Sequence, residues 1–111
     1  FKSASSELMT ALIPVADDMD RAFTEFKKSE NENLIKGFEL IYNKLNDTLK
    51  ANGLTVIVVN KGDVFDSEKH EAITQIKATD KKMVGKVVDV IETGYSLGEK
   101  ILRYPKVVVA N

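Results

Sequence analysis

Side chains able to do chemistry are sparse in this chain, and its single histidine is the natural starting point. His70 lies in the run Phe65-Asp66-Ser67-Glu68-Lys69-His70-Glu71-Ala72. Paired with Asp63, Asp66 or Glu71, its imidazole could act as a general acid and base or join a metal site. A metal centre wants several ligands at a repeatable spacing, and one imidazole among scattered carboxylates does not supply them. The same residues read more simply as a turn. Asp66 and Ser67 satisfy backbone N–H groups, Phe65 anchors a sheet, and His70 starts the next strand. On that reading no catalytic, metal-binding or cofactor-binding residue is assigned, and the chain is not expected to be an enzyme.

Other ligand chemistry is equally thin. Gly94, Gly98 and the residues between them do not form G-x-x-x-x-G-K-[ST], and Gly94 opens no helix, so any nucleotide must be held by another protein. Lys77, Lys81, Lys82 and Lys86 make a basic stretch, but Asp80 interrupts it and no aromatic is interleaved for base stacking. A solvated loop explains the run better than nucleic acid does. Gly37 stands in the middle of a helical pattern, where Gly costs about 1 kcal/mol relative to Ala. It falls off the apolar stripe, near Leu40 and Lys44, and either drift or close approach by another chain accounts for it.

With 111 residues, 43% of them hydrophobic and 30% charged, the chain has the composition of a soluble folded protein of one domain or two very small ones. A net charge of −1 argues against a general nucleic-acid binder, which needs a surplus of clustered cations. Cysteine is absent, which excludes disulfides and thiolate metal sites and is compatible with a reducing compartment. No apolar run approaches the roughly 20 residues that span a bilayer. Phe1-Lys2-Ser3 carries neither a basic leader nor an initiator methionine, so the expectation is a fragment of a longer protein.

The elements that must position these residues change character at Asn52-Gly53. Before it, Leu8, Leu12, Val15, Met19, Phe23 and Phe26 advance by three or four residues, a helical stripe that Met9, Ile13 and Ala16 widen. Pro14 lies inside the pattern and removes one backbone hydrogen bond, so a kink or restart is expected near Met9–Pro14. Ser29-Glu30-Asn31-Glu32 has the S-x-x-E form of a capping box and predicts a second helix from about Glu30. Its stripe is Leu34, Phe38, Ile41, Leu45 and Leu49, and Asn52-Gly53 ends it. Residues 1–53 thus read as an antiparallel helical hairpin.

Stripes this wide exceed what two helices can bury on each other. Two copies of the chain forming a four-helix bundle is the economical solution, with Leu12, Val15, Met19, Leu34, Phe38, Ile41, Leu45 and Leu49 at the dimer interface. The alternative is that the hairpin packs on the other half of its own chain. That half, residues 54–111, offers candidate strands Leu54–Val59, Ala72–Ile76, Val87–Ile91, Tyr95–Leu97, Lys100–Arg103 and Lys106–Val109. Gly62-Asp63, Thr93-Gly94 and Gly98-Glu99 punctuate them. The fold class is therefore α+β: a helical hairpin followed by a small antiparallel β-domain or partly closed barrel.

Phe65-Asp66-x-x-x-His70-x-Ala72-Ile73, then Gly94-Tyr95, Glu99-x-x-Leu102-Arg103 and Val107-x-Val109, resembles the signature of the GrpE family. Leu12-Ile13-Pro14-Val15-x-Asp17-x-Met19-x-Arg21-Ala22-Phe23 and Lys36-Gly37-Phe38-Glu39-Leu40-Ile41 resemble the family's helical stretches. The resemblance covers nearly the whole chain. Pro105 departs from it, standing where a small residue is usual. The family's N-terminal tail and long paired helix are absent from this stretch.

The resemblance implies a homodimeric co-chaperone of protein folding and the stress response, cytoplasmic, with an organellar matrix left open. A four-helix bundle would carry β-domain wings, and one wing would grip the ATPase domain of a DnaK-type chaperone and release its ADP. It further implies that Ile91, Lys100 and Val109, with Arg103 beside them, contact the chaperone, and that Arg21 and Gly37 bear on partner binding. Unfolded polypeptide stays open as a further partner; nucleic acid and membrane are not expected. The competing reading is a structural or peptide-binding dimeric module without exchange activity.

Overall fold

The computed structural model describes residues 2–111. They divide into two units, one running through Leu54 and the other spanning Thr55–Asn111.

In the first unit, α1 (Lys2–Phe26) and α2 (Glu32–Ala51) form the hairpin. Proline has no N–H for the helical ladder, yet α1 runs as one element through Pro14, without a restart. Phe23 meets Tyr42 at 4.9 Å between ring centroids, and Phe26 meets Phe38 at 4.8 Å. Pairing positions that rise on one helix and fall on the other makes the two antiparallel. Tyr42 Oη donates to Asp20 Oδ1 at 2.6 Å, satisfying the polar end of an otherwise apolar contact. Among the described side chains, Met9, Ile13, Ala16 and Leu49 are the buried apolar ones of these helices.

The start of α2 corrects the sequence reading. Ser29 is not the cap. Asn31 is, with extended backbone and an Oδ1 that accepts from Leu34 N at 3.1 Å. Bonds from Lys28 N to Glu25 O and from Ser29 N to Phe26 O still close the last turn of α1. The backbone is therefore first free to become extended at Asn31, and Ser29 Oγ instead accepts from Asn31 N at 3.1 Å. At the other end Gly53, with φ of 98°, takes the left-handed conformation that terminates helices.

β1 (Leu54–Ile57) starts at the boundary and runs into the second unit, which also holds β2 (Glu71–Ile76), β3 (Val87–Glu92), β4 (Gly94–Leu97), β5 (Lys100–Arg103) and β6 (Lys106–Ala110). All six strand expectations have a counterpart. β1 stops earlier than the apolar run because Asn60 N donates to Asp63 Oδ2 at 2.8 Å and folds the chain into a turn. The strands form two three-stranded sheets, ordered β1-β4-β5 and β2-β6-β3. β6 is antiparallel to β3 but parallel to β2, so the second sheet is mixed rather than purely antiparallel. Parallel neighbours need a long intervening connection, and here β3, β4 and β5 supply it.

Val87, Val107 and Val109 form the core of this unit, with Val59, Phe65 and Val90 packed against them. β6 lies between two partners, and its run Val107–Ala110 is buried throughout. A central strand covered on both faces reads as a continuous apolar run rather than an alternating one. No helix of the described residues is long and apolar enough to cross a membrane.

Candidate functional site

The His70 segment is a turn. Lys69 N and His70 N both donate to Asp66 O, and Asp66 Oδ1 accepts from Glu68 N at 2.9 Å. His70 Nδ1 accepts from Asp66 N at 3.1 Å, which fixes the ring's tautomer with its proton on Nε2. The ring lies 5.9 Å from that of Phe65, a core-lining residue. The Asp66 carboxylate and the His70 imidazole are thus both engaged in holding the turn that leads into β2. Among the described residues no three His, Asp or Glu side chains converge on a point where a metal could sit.

The four wing residues named from the sequence separate into three environments. Ile91, on β3, is 55% exposed, an apolar side chain held out to solvent between the half-buried Val90 and Glu92. Lys100 opens β5, is exposed, and pairs with Leu97 of β4. Ile91 and Lys100 therefore stand on strands of different sheets. Val109 differs from both: at 6% exposure, paired with Val87 on one side and Gln75 on the other, its side chain lies in the core. It has no surface to offer a partner in this conformation.

Arg103 is held inward. Its Nε and Nη2 donate to Thr93 O at 2.9 and 2.6 Å, and its Nη1 lies 3.0 Å from Glu92 Oε1. The guanidinium carbon sits 5.5 Å from the Tyr95 ring centroid. Glu92 in turn reaches Lys106 Nζ at 3.6 Å. Glu92 was not singled out from sequence, since a partner eleven residues away gives no local signal. The one available hint was the strand–turn–strand punctuation at Thr93-Gly94.

On the helices, Arg21 is exposed and ion-paired with Asp18 one turn before it. Gly37 is exposed, and a methyl group built there meets nothing within 4 Å. Leu40, Lys44, Asp47, Thr48 and Ala51 line an open depression on the same side of α2. Within the chain nothing crowds Gly37, so the space beside it is available to something else.

The expected dimer face is divided. Val15 (46%), Leu34 (50%) and Ile41 (61%) are exposed, with Leu12, Met19 and Leu45 half-buried between them. Phe38 is engaged in the aromatic contacts of the hairpin and Leu49 is buried, so these two are already used inside one chain. Leu8, exposed on α1, extends the outward stripe by one turn and was not named as an interface residue.

Comparison with known proteins completes the picture. The family model described as GrpE matches residues 1–111. A Protein GrpE of Bacteroides fragilis is 42% identical over 100 residues, covering 89% of this chain and 51% of that protein. A Protein GrpE of Pseudothermotoga lettingae is 37% identical over 110 residues, covering 98% of this chain and 62% of its own length. A Protein GrpE of Thermotoga maritima is 37% identical over 109 residues, covering 98% and 60% respectively. The chain spans between 51% and 62% of the length of these relatives.

Proposed function

The chain belongs to the GrpE family, and from that premise we propose that it is the partner-binding portion of a homodimeric co-chaperone that accelerates ADP release from a DnaK-type chaperone. The observation that carries this reading is the family match along all 111 residues, helical and β portions together. No covalent step is asked of the protein. It needs to bind the open, nucleotide-free form of the ATPase domain more tightly than the ADP-closed form. By linkage, the factor by which ADP weakens its binding is the factor by which it weakens ADP binding. A coupling of about 3 kcal/mol corresponds to roughly a 150-fold loss of ADP affinity.

The β unit is the gripping part on this reading, with Ile91 as an apolar anchor and Lys100 as a point charge that orients docking. A lysine cannot make the bidentate contact an arginine would, so its share is steering more than a fixed geometry. The dimer brings two such units to one bundle, and one of them engages one chaperone.

Stopped-flow release of a fluorescent ADP from a DnaK-type ATPase domain tests the proposal. Marked acceleration by the chain, lost when Ile91→Ala and Lys100→Ala are combined, is the expected result. A folded, dimeric chain that leaves the release rate unchanged would overturn it. The peptide-binding alternative draws on one feature, the exposed edge strand β2 with Ile73 and Ile76 turned outward. It predicts binding of extended peptides with no effect on ADP release.

A further inference from the structure

The chain passes between the two sheets of the β unit three times, from β1 to β2, from β3 to β4 and from β5 to β6, and the last two crossings lie side by side. Glu92-Thr93-Gly94 carries the chain from β3 in one sheet to β4 in the other. Arg103-Tyr104-Pro105-Lys106 carries it back from β5 to β6. The Arg103 side chain ties one crossing to the other. It donates twice to Thr93 O (2.9 and 2.6 Å) and pairs with Glu92 Oε1 (3.0 Å), while Glu92 Oε2 faces Lys106 Nζ (3.6 Å). The backbones are equally close. A methyl at Gly94 would lie 2.3 Å from Pro105 Cδ and 2.9 Å from Arg103 O. Arg103 exposes 19% of its side chain and Glu92 32%, so the pair is partly shielded from water, and its charge is spent inside the unit.

From this geometry we infer that Arg103, with Glu92, is a positioning residue: a clasp that fixes the two sheets against each other and so sets the placement of Ile91 relative to Lys100. The clasp needs a guanidinium. One planar group satisfies a carbonyl with two donors and a carboxylate with a third, and an ammonium at the same place reaches one of them. Ile91 is one residue from the clasp on β3, and Lys100 is three residues from it on β5. A change in the angle between the sheets moves the two apart without touching either. Arg103 thus acts on the partner through Ile91 and Lys100, and that part of the inference rests on the exchange-factor reading.

Two measurements on the full chain separate the clasp from that reading. In the first, amide residual dipolar couplings from β3 and β6 and from β4 and β5 should fit one common alignment in the wild type. In Arg103→Lys each sheet should fit by itself while the common fit is lost, and Glu92→Gln should show the same change more weakly. A single alignment retained in both variants overturns the clasp.

In the second, binding to a nucleotide-free DnaK-type ATPase domain is followed by kinetics at several salt concentrations. Arg103→Lys should dissociate about tenfold faster with its association rate and salt dependence unchanged, as expected where complementarity rather than charge is lost. Its effect should be smaller when Lys100→Ala is already present, because both act through the same contact. A slower, salt-sensitive association in Arg103→Lys with Glu92→Gln silent would make Arg103 a direct contact and overturn the inference. So would a lowered melting temperature with unchanged dissociation, which is the signature of a merely structural residue. If the wild-type chain fails to bind the ATPase domain, the exchange-factor reading falls, and the dipolar couplings still decide the clasp.

Discussion

Gly94 shows what a single hydrogen can decide. A Cβ at this position would lie 2.4 Å from Pro105 N and 2.3 Å from its Cδ, and neither a ring nor a backbone nitrogen can swing aside. Gly94→Ala should therefore destabilise the β unit by about 2–3 kcal/mol, at the upper end of overpacking costs, read as a fall in the urea midpoint. His70→Ala removes the acceptor for Asp66 N and should cost about 1 kcal/mol while leaving the ADP release rate unchanged. Loss of activity out of proportion to stability there would revive a chemical role for the imidazole. Val109→Ala empties part of the core around Val87 and Val107 and should cost about 2 kcal/mol. Weakened partner binding at unchanged stability would instead put Val109 back on the surface. The motif around Gly94 and Pro105 was visible in the sequence, but its reason was not: close approach is a fact of the third dimension.

At the scale of elements, the helical and strand periods were legible because burial imposes them. Both helices and all six strands stand where apolar spacing put them, within a few residues. What the pattern left out is order and direction. An alternating strand looks the same whether its neighbour is parallel or antiparallel, so the parallel β2–β6 pair had no local trace. Helix starts are ambiguous when short polar side chains cluster: the capping-box pattern pointed to Ser29, and Asn31, also a favoured cap type, holds the position. The structure predicts their separation by mutation. Asn31→Ala should cost about 1 kcal/mol, since Leu34 N loses its partner. Ser29→Ala removes an exposed bond outside α2 and should cost less than half of that. Urea titrations followed by helical circular dichroism check the pair, and equal losses would return the cap to Ser29.

For the whole molecule the question is what covers the outward face of the hairpin. Leu8 and Val15 are seven residues apart on α1, and Leu34 and Ile41 are seven apart on α2. Seven residues are almost two full turns, so each pair shares one side of its helix. These side chains are exposed in one chain, while Phe23, Phe26, Phe38 and Tyr42 join the helices on the inside. An isolated two-helix hairpin is short of buried area, and in the proposed dimer a second copy of the same stripe would supply it. Val15→Asp with Ile41→Asp places charges on side chains that the single chain already leaves in water. The internal packing of the hairpin is spared. On the proposed dimer, the wild type should sediment as a dimer and the double variant as a monomer, with a loss of helical signal because each hairpin then stands alone. Amide resonances of residues 55–111 should keep their dispersion, since that unit has its own core in Val87, Val107 and Val109. A variant that still sediments as a dimer would mean that the bundle is held elsewhere. A variant that loses the β unit as well would mean that the two units fold as one.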